Sequence, residues 1–253
     1  YGLYCFDRNL RIILLKALLQ AEQNICTKVS YRFSEVYTSE FSHLNVNNFS
    51  KTNLPKATEL VSKLSNATQR NARHTMFSHY LTTHQDLPLW VLVTKLTFGE
   101  ITNFYKLITP NIQEKILEDI HKEYTGEYKE SITDPTSTLI PVFSEILDVL
   151  VGYRNVCAHG DRLYNHRIIG PKKTIKKLTY YFVQTPKGSE SSVYGVLISL
   201  RLLLPRISYK RIIDEVINEL ILLSESLPVI QFNQVLAKME LTLQWRQILE
   251  SLH

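Results

Sequence analysis

Arg154 and His159 are the residues in this chain whose types suit cleavage of a phosphodiester. A histidine titrates near neutral pH and can give or take a proton. An arginine grips phosphate oxygens through two parallel N–H bonds. RNA cleavage through its own 2′-hydroxyl needs a base for that hydroxyl and an acid for the leaving 5′-oxygen. It also needs positive charge on the developing phosphorane. Asn155 lies four residues before His159 and shares its helix face, so it is placed to orient the ring and choose its tautomer. One chain supplies one such arginine and one such histidine. A twofold axis through the motif would supply two of each around one cleft, so a homodimer is expected.

Spacing alone is weak ground. With eight histidines in 253 residues, an arginine four to six positions before a histidine is expected about once by chance. The chain has four such pairs, among them Arg154 with His159 and Arg73 with His79. Context separates them. Leu139, Ile140, Phe143, Ile146, Leu147, Leu150 and Val151 recur three and four apart, the signature of one helix face. Arg154 falls next on that seam, where an unpaired guanidinium is costly, so an acidic partner, a cleft or an interface is expected around it. Gly160 then reads as a C-terminal cap, which puts His159 in the last turn. On a continuous helix the two side chains leave about 140° apart and roughly 7.5 Å along the axis, framing a groove edge. The plain structural alternative is that both only finish a helix and pair with carboxylates such as Asp148 or Asp161.

Three stretches carry a family resemblance. Arg154-Asn155-Val156-Cys157-Ala158-His159, with Asp161-Arg162-Leu163-Tyr164-Asn165 after Gly160, resembles the motif of the abortive-infection (Abi) phage-resistance proteins of the HEPN superfamily. Tyr4, Phe6, Asp7, Leu10 and Arg11 resemble the start of that family's first helix. Pro88 and Trp90, with Phe98-Gly99-Glu100 and Phe104-Tyr105, resemble a second block, and the order is the family's. One position departs: Gly160 stands where many relatives carry a second histidine. The resemblance implies a HEPN-like helical bundle with additional helices. It implies a metal-independent, toxin-like endoribonuclease whose R-x4-H motifs form a composite site across a homodimer, acting in anti-phage defence. Arg154 would hold phosphate, His159 would do acid–base work and Asn155 would orient the site. Arg162, Tyr164 and Asn165 would support the motif helix or contact RNA. Partners implied are RNA, as substrate or regulatory non-coding RNA, and an antitoxin.

Composition is compatible with that. The formal charge is +5 and the pI about 9.0, which permits contact with nucleic acid. Cys5, Cys26 and Cys157 form no disulfide or metal pattern and suit a reducing cytoplasm. No metal and no cofactor are expected. The histidines at 74, 79 and 84 are five apart, a poor match to the i, i+4 pairing of metal-binding helices. No run of eighteen apolar residues is present in the sequence, so no membrane span is expected. The helical pattern is already running at Tyr1, and an upstream segment is expected.

Helical spacing dominates and predicts an all-α bundle over 1–253 as a single domain. It predicts one helix to about Tyr37, a loop over 39–54, and a helix started by Asn53 and Pro55. Thr97 and Glu100 form a capping box. Residues 124–138 read as a loop. Lys172, Lys173, Lys176 and Lys177 form the densest positive run, followed by β-prone residues: a small hairpin or loop excursion near 172–190. That run is either a solvated loop or an RNA-contacting arm with tyrosines for base stacking. Two functions follow: the endoribonuclease, and a non-cleaving module that holds a structured regulatory RNA.

Overall fold

The computed structural model describes residues 1–130, 135–168 and 191–252. The fold is all-α. Among the described residues eleven α-helices are joined by short 3-10 and π turns, with no strand beyond an isolated Phe49–Ile108 bridge. The lysine run and the predicted hairpin lie outside the described residues.

The helices are α1 (Gly2–Val36), α2 (Leu54–Asn71), α3 (Thr75–His79), α4 (Leu89–Leu92), α5 (Phe98–Leu107) and α6 (Pro110–Tyr128). They continue with α7 (Thr136–His159), α8 (Val193–Arg201), α9 (Arg206–Ser226), α10 (Val229–Lys238) and α11 (Trp245–Glu250). The contacts gather into two compact units. The first takes the described parts of 1–21, 120–134 and 141–253, and the second those of 22–119 and 135–140.

Apolar spacing builds the first unit. Phe6, Leu10, Leu14, Ala17, Leu18 and Ala21 in α1 recur three or four apart, and all are buried. Each buried Leu or Phe contributes on the order of 2 kcal/mol of transfer free energy. Every residue of α8 is buried, Arg201 included. That cation is satisfied: it forks onto Glu130 at 2.9 Å on both oxygens, donates to the Tyr124 hydroxyl at 2.7 Å, and lies 4.4 Å from the centre of the Tyr128 ring. Here the structure corrects the sequence reading. Residues 124–128 are the last turn of α6, not loop, because Tyr124 and Tyr128 are buried one turn apart and stacked at 4.9 Å.

The second unit keeps its local signals. The Asn53 side chain accepts from the amide of Lys56. Thr97 and Glu100 form both bonds of the capping box. Phe33, Phe49 and Phe104 pack within 5.0–5.8 Å of one another. Arg32 forks onto Asp119 at 2.6 and 2.7 Å. Between α3 and α4 a π turn spans Tyr80–His84.

Among the described residues one helix, α7, is long and apolar enough by composition to cross a membrane. Leu139, Phe143, Ile146, Leu147, Leu150 and Tyr153 of that helix are buried inside the protein, and Ile140 and Val151 are half-buried.

Candidate functional site

The site begins with the stop of α7. The helix is unbroken from Thr136 to His159, so Arg154, Asn155 and His159 sit on its last two turns. Gly160 follows at φ +77°, a left-handed conformation in which a Cβ costs energy. The Asp161 amide turns back onto the Val156 carbonyl at 3.2 Å, the long bond of a Schellman cap. The Gly160 stop therefore fixes where the histidine stands. His159 and Asn155 are exposed and Arg154 is half-buried.

The apolar seam does not run on into Arg154. Past Leu150 the inward positions are Tyr153, Val156 and Cys157, and Arg154 stands on the flank. A seam of spacing three and four allows either 153 or 154 after 150, and the ring of Tyr153 takes the core. Its hydroxyl reaches the carbonyls of His166 at 2.7 Å and Ser191 at 2.9 Å. Tyr153 thereby ties the helix to the chain that follows the motif. Burial raises its phenol above the ordinary tyrosine range.

The loop after the cap is held by two residues to which the sequence reading gave no role. Asp7, on α1, is almost fully buried. Its Oδ1 accepts from the backbone amides of Leu163 and Tyr164, both at 2.9 Å. Its Oδ2 pairs with Arg11, one turn along the same helix. Arg11 in turn donates to the Asp161 carbonyl at 3.1 Å. Leu163 is fully buried beneath this clamp. A buried carboxylate needs all these donors, since an unpaired one would be expensive. The signal was available: Asp7 and Arg11 are an i, i+4 ion pair on an otherwise apolar helix face.

The clamp divides the remaining candidates. Arg162 and Asn165 are exposed and Tyr164 is half-buried. They follow the cap on the backbone that Asp7 and Arg11 hold. Cys157, near the end of α7, is buried, its thiol pushed up to about 12 by burial, with Arg11 opposing and Asp7 adding. Its side chain packs in the core. Burial holds His166 below the ordinary histidine range, with Asp161 opposing. Gly152 completes the packing: a Cβ there would meet Ile168 Cδ1 at 2.2 Å. Lys172, Lys173, Lys176 and Lys177 lie outside the described residues.

The second arginine–histidine match behaves differently. Arg73, His74, His79 and His84 are exposed. His79 and His84 are nonetheless neighbours, with ring centres 5.4 Å apart. The sequence reading assumed α-helical register, in which i and i+5 diverge. The π turn over Tyr80–His84 changes that register and brings them together. Among the described residues no group of three His, Cys, Asp or Glu is placed to hold a metal ion.

An all-α fold with a glycine-stopped, arginine–histidine helix end clamped by the first helix is a helical protein built around that end. Residues 1–165 match the family model described as Abi-like protein. The match takes in both halves of the clamp, and the chain belongs to the Abi-like protein family. Comparison with curated proteins and with solved structures found no match.

Proposed function

We propose that this chain is a metal-independent endoribonuclease acting in abortive infection by phage, with a composite active site across a homodimer. The observation that carries the proposal is the exposed His159 on the last turn of α7, one and a half turns beyond Arg154, on a backbone fixed by Gly160, Asp7 and Arg11. In this reading Arg154 binds the non-bridging phosphate oxygens. His159 of one chain takes the 2′-hydroxyl proton, and His159 of its mate protonates the leaving 5′-oxygen. Asn155 orients the ring, and Arg162, Tyr164 and Asn165 contact the strand. The products are a 2′,3′-cyclic phosphate and a 5′-hydroxyl. The family and the positive net charge support a nucleic-acid partner in a defence role.

The test is cleavage of RNA by the purified chain in excess chelator, with His159→Ala and Arg154→Ala alongside. Each variant is expected to lose about 10²–10⁴-fold in rate while keeping its helical circular dichroism. Parent-like rates in both variants, or loss of cleavage in chelator, would refute the proposal. RNA binding without any cleavage by the parent would favour a module that only holds RNA.

A further inference from the structure

The second unit contains a cleft that the proposed cleavage chemistry does not use. It has a volume of about 330 Å³ and is lined by Tyr37, Phe41, His43, Asp86, Pro88 and Trp90, with serine and threonine hydroxyls between them. Four observations mark it as built for a ligand. Both of its walls carry strained backbone: Phe41 has φ +48° and Gln85, beside Asp86, has φ +52°. Bulky residues rarely adopt this conformation, and such outliers gather at ligand sites. Asp86 Oδ1 accepts from the Phe41 amide at 2.7 Å, which leaves most of the carboxylate's roughly four acceptor positions for something else. His43 is 1% exposed, yet its Nε2 has no hydrogen-bond partner among the described residues. Trp90 is 49% exposed, a large apolar ring left partly in water at the rim.

We propose that this cleft binds a guanine base, supplied as an unpaired nucleotide of an RNA strand; the RNA source rests on the proposed function, the base chemistry does not. The flat rings of Tyr37, Phe41 and Trp90 suit a planar aromatic ligand. Asp86 selects among the bases. A carboxylate offers acceptors only, and guanine presents two adjacent donors, N1–H and the N2 amine, on its Watson–Crick edge. Uracil flanks its one N–H with carbonyl oxygens, which a carboxylate repels. Burial holds His43 at about 4, so its ring is neutral near pH 7 and brings no second charge beside Asp86. The aromatic surface also continues outward. Tyr80 meets Trp90 edge-on at 5.4 Å, and the His84 ring lies 5.3 Å from Tyr80. Neighbouring bases of a strand have rings to stack on there, which a lone nucleotide would leave unused.

Calorimetric titration of the whole chain with guanosine, inosine, uridine and the RNA oligonucleotide UUGUU tests this without any cleavage assay. Guanosine is expected to bind, inosine about tenfold more weakly for want of the N2 amine, uridine not measurably, and UUGUU more tightly than guanosine. In a Trp245→Phe background Trp90 is the remaining tryptophan, and guanosine should quench its fluorescence. Asp86→Asn should weaken guanosine at least tenfold. Equal affinity for guanosine and inosine, absence of guanosine binding, or parent-like affinity in Asp86→Asn would overturn the guanine assignment. If Asp86→Asn fails to fold, the guanosine–inosine comparison on the parent chain decides alone. Guanosine binding as tightly as UUGUU, or more tightly, would overturn the strand as the source. Failure of RNA cleavage in the separate assay leaves these outcomes unaffected.

Discussion

Asp7 in the first unit and Asp86 in the second use one device, a carboxylate accepting backbone amides of a loop, to different ends. Asp7 is saturated: two amides on Oδ1, Arg11 on Oδ2, and almost no exposure. Asp86 takes one amide, is half-buried, and faces a cleft, with no cation among the described residues paired to it. A carboxylate whose acceptors are all occupied by its own chain holds structure. One with acceptors left over, beside strained backbone and an orphaned histidine nitrogen, holds a ligand. The difference should be readable as energy.

The largest effect is expected from Asp7→Ala. It strands two amides and leaves Arg11, whose side chain is 14% exposed, without its carboxylate. Breaking one partner of a buried pair costs about 3–5 kcal/mol, so the urea midpoint should fall sharply and cleavage should go with it. A midpoint within about 0.5 kcal/mol of the parent would show that the clamp is ornamental.

Acidification comes next, and it acts on the Asp86 side of the comparison. The unfolded chain protonates a histidine near its ordinary value, whereas burial holds folded His43 at about 4, with Asp86 opposing. The stability His43 contributes is therefore complete above about pH 6.5 and is lost as pH falls toward 4. The loss is roughly 3 kcal/mol, at about 1.4 kcal/mol per unit. His121 and His166 are lowered by burial too and add in the same direction. Chemical denaturation at pH 7 and pH 4.5 checks the sign. His43→Gln should shrink the difference, and an unchanged one would remove His43 from the account.

Gly160→Ala should cost about 1–2 kcal/mol through its positive φ alone, since a Cβ there meets nothing within 4 Å among the described residues. Cleavage should fall more than stability does, because the cap aims His159. Equal losses would mean that the cap only stabilises. Asp86→Asn should cost least, under about 1 kcal/mol, because the amide oxygen can still accept from Phe41. A cost near that of Asp7→Ala would erase the contrast between the two carboxylates.

Much of the architecture was legible because it is local. Leu10, Leu14, Leu18 and Phe33 announce α1 by spacing, Thr97 and Glu100 announce the start of α5, and Gly160 announces the stop of α7. The errors came where two local readings were degenerate. Spacing of three or four permits Arg154 or Tyr153 on the seam, and burial chose Tyr153. Residues 124–138 read as a loop, and the stacked Tyr124 and Tyr128 kept the helix as far as Tyr128.

The sequence by itself determined which residues of this Abi-like chain could do acid–base and phosphate chemistry, and which helix carries them. Those follow from side-chain type and from a period that needs only neighbours three or four apart. Tertiary structure alone decided that Asp7 would clamp amides 156 and 157 residues away, and that Asp86 would reach Phe41 across a cleft. It also decided that a π turn would make neighbours of His79 and His84. Such pairings depend on how distant segments close on one another, and no local period encodes that.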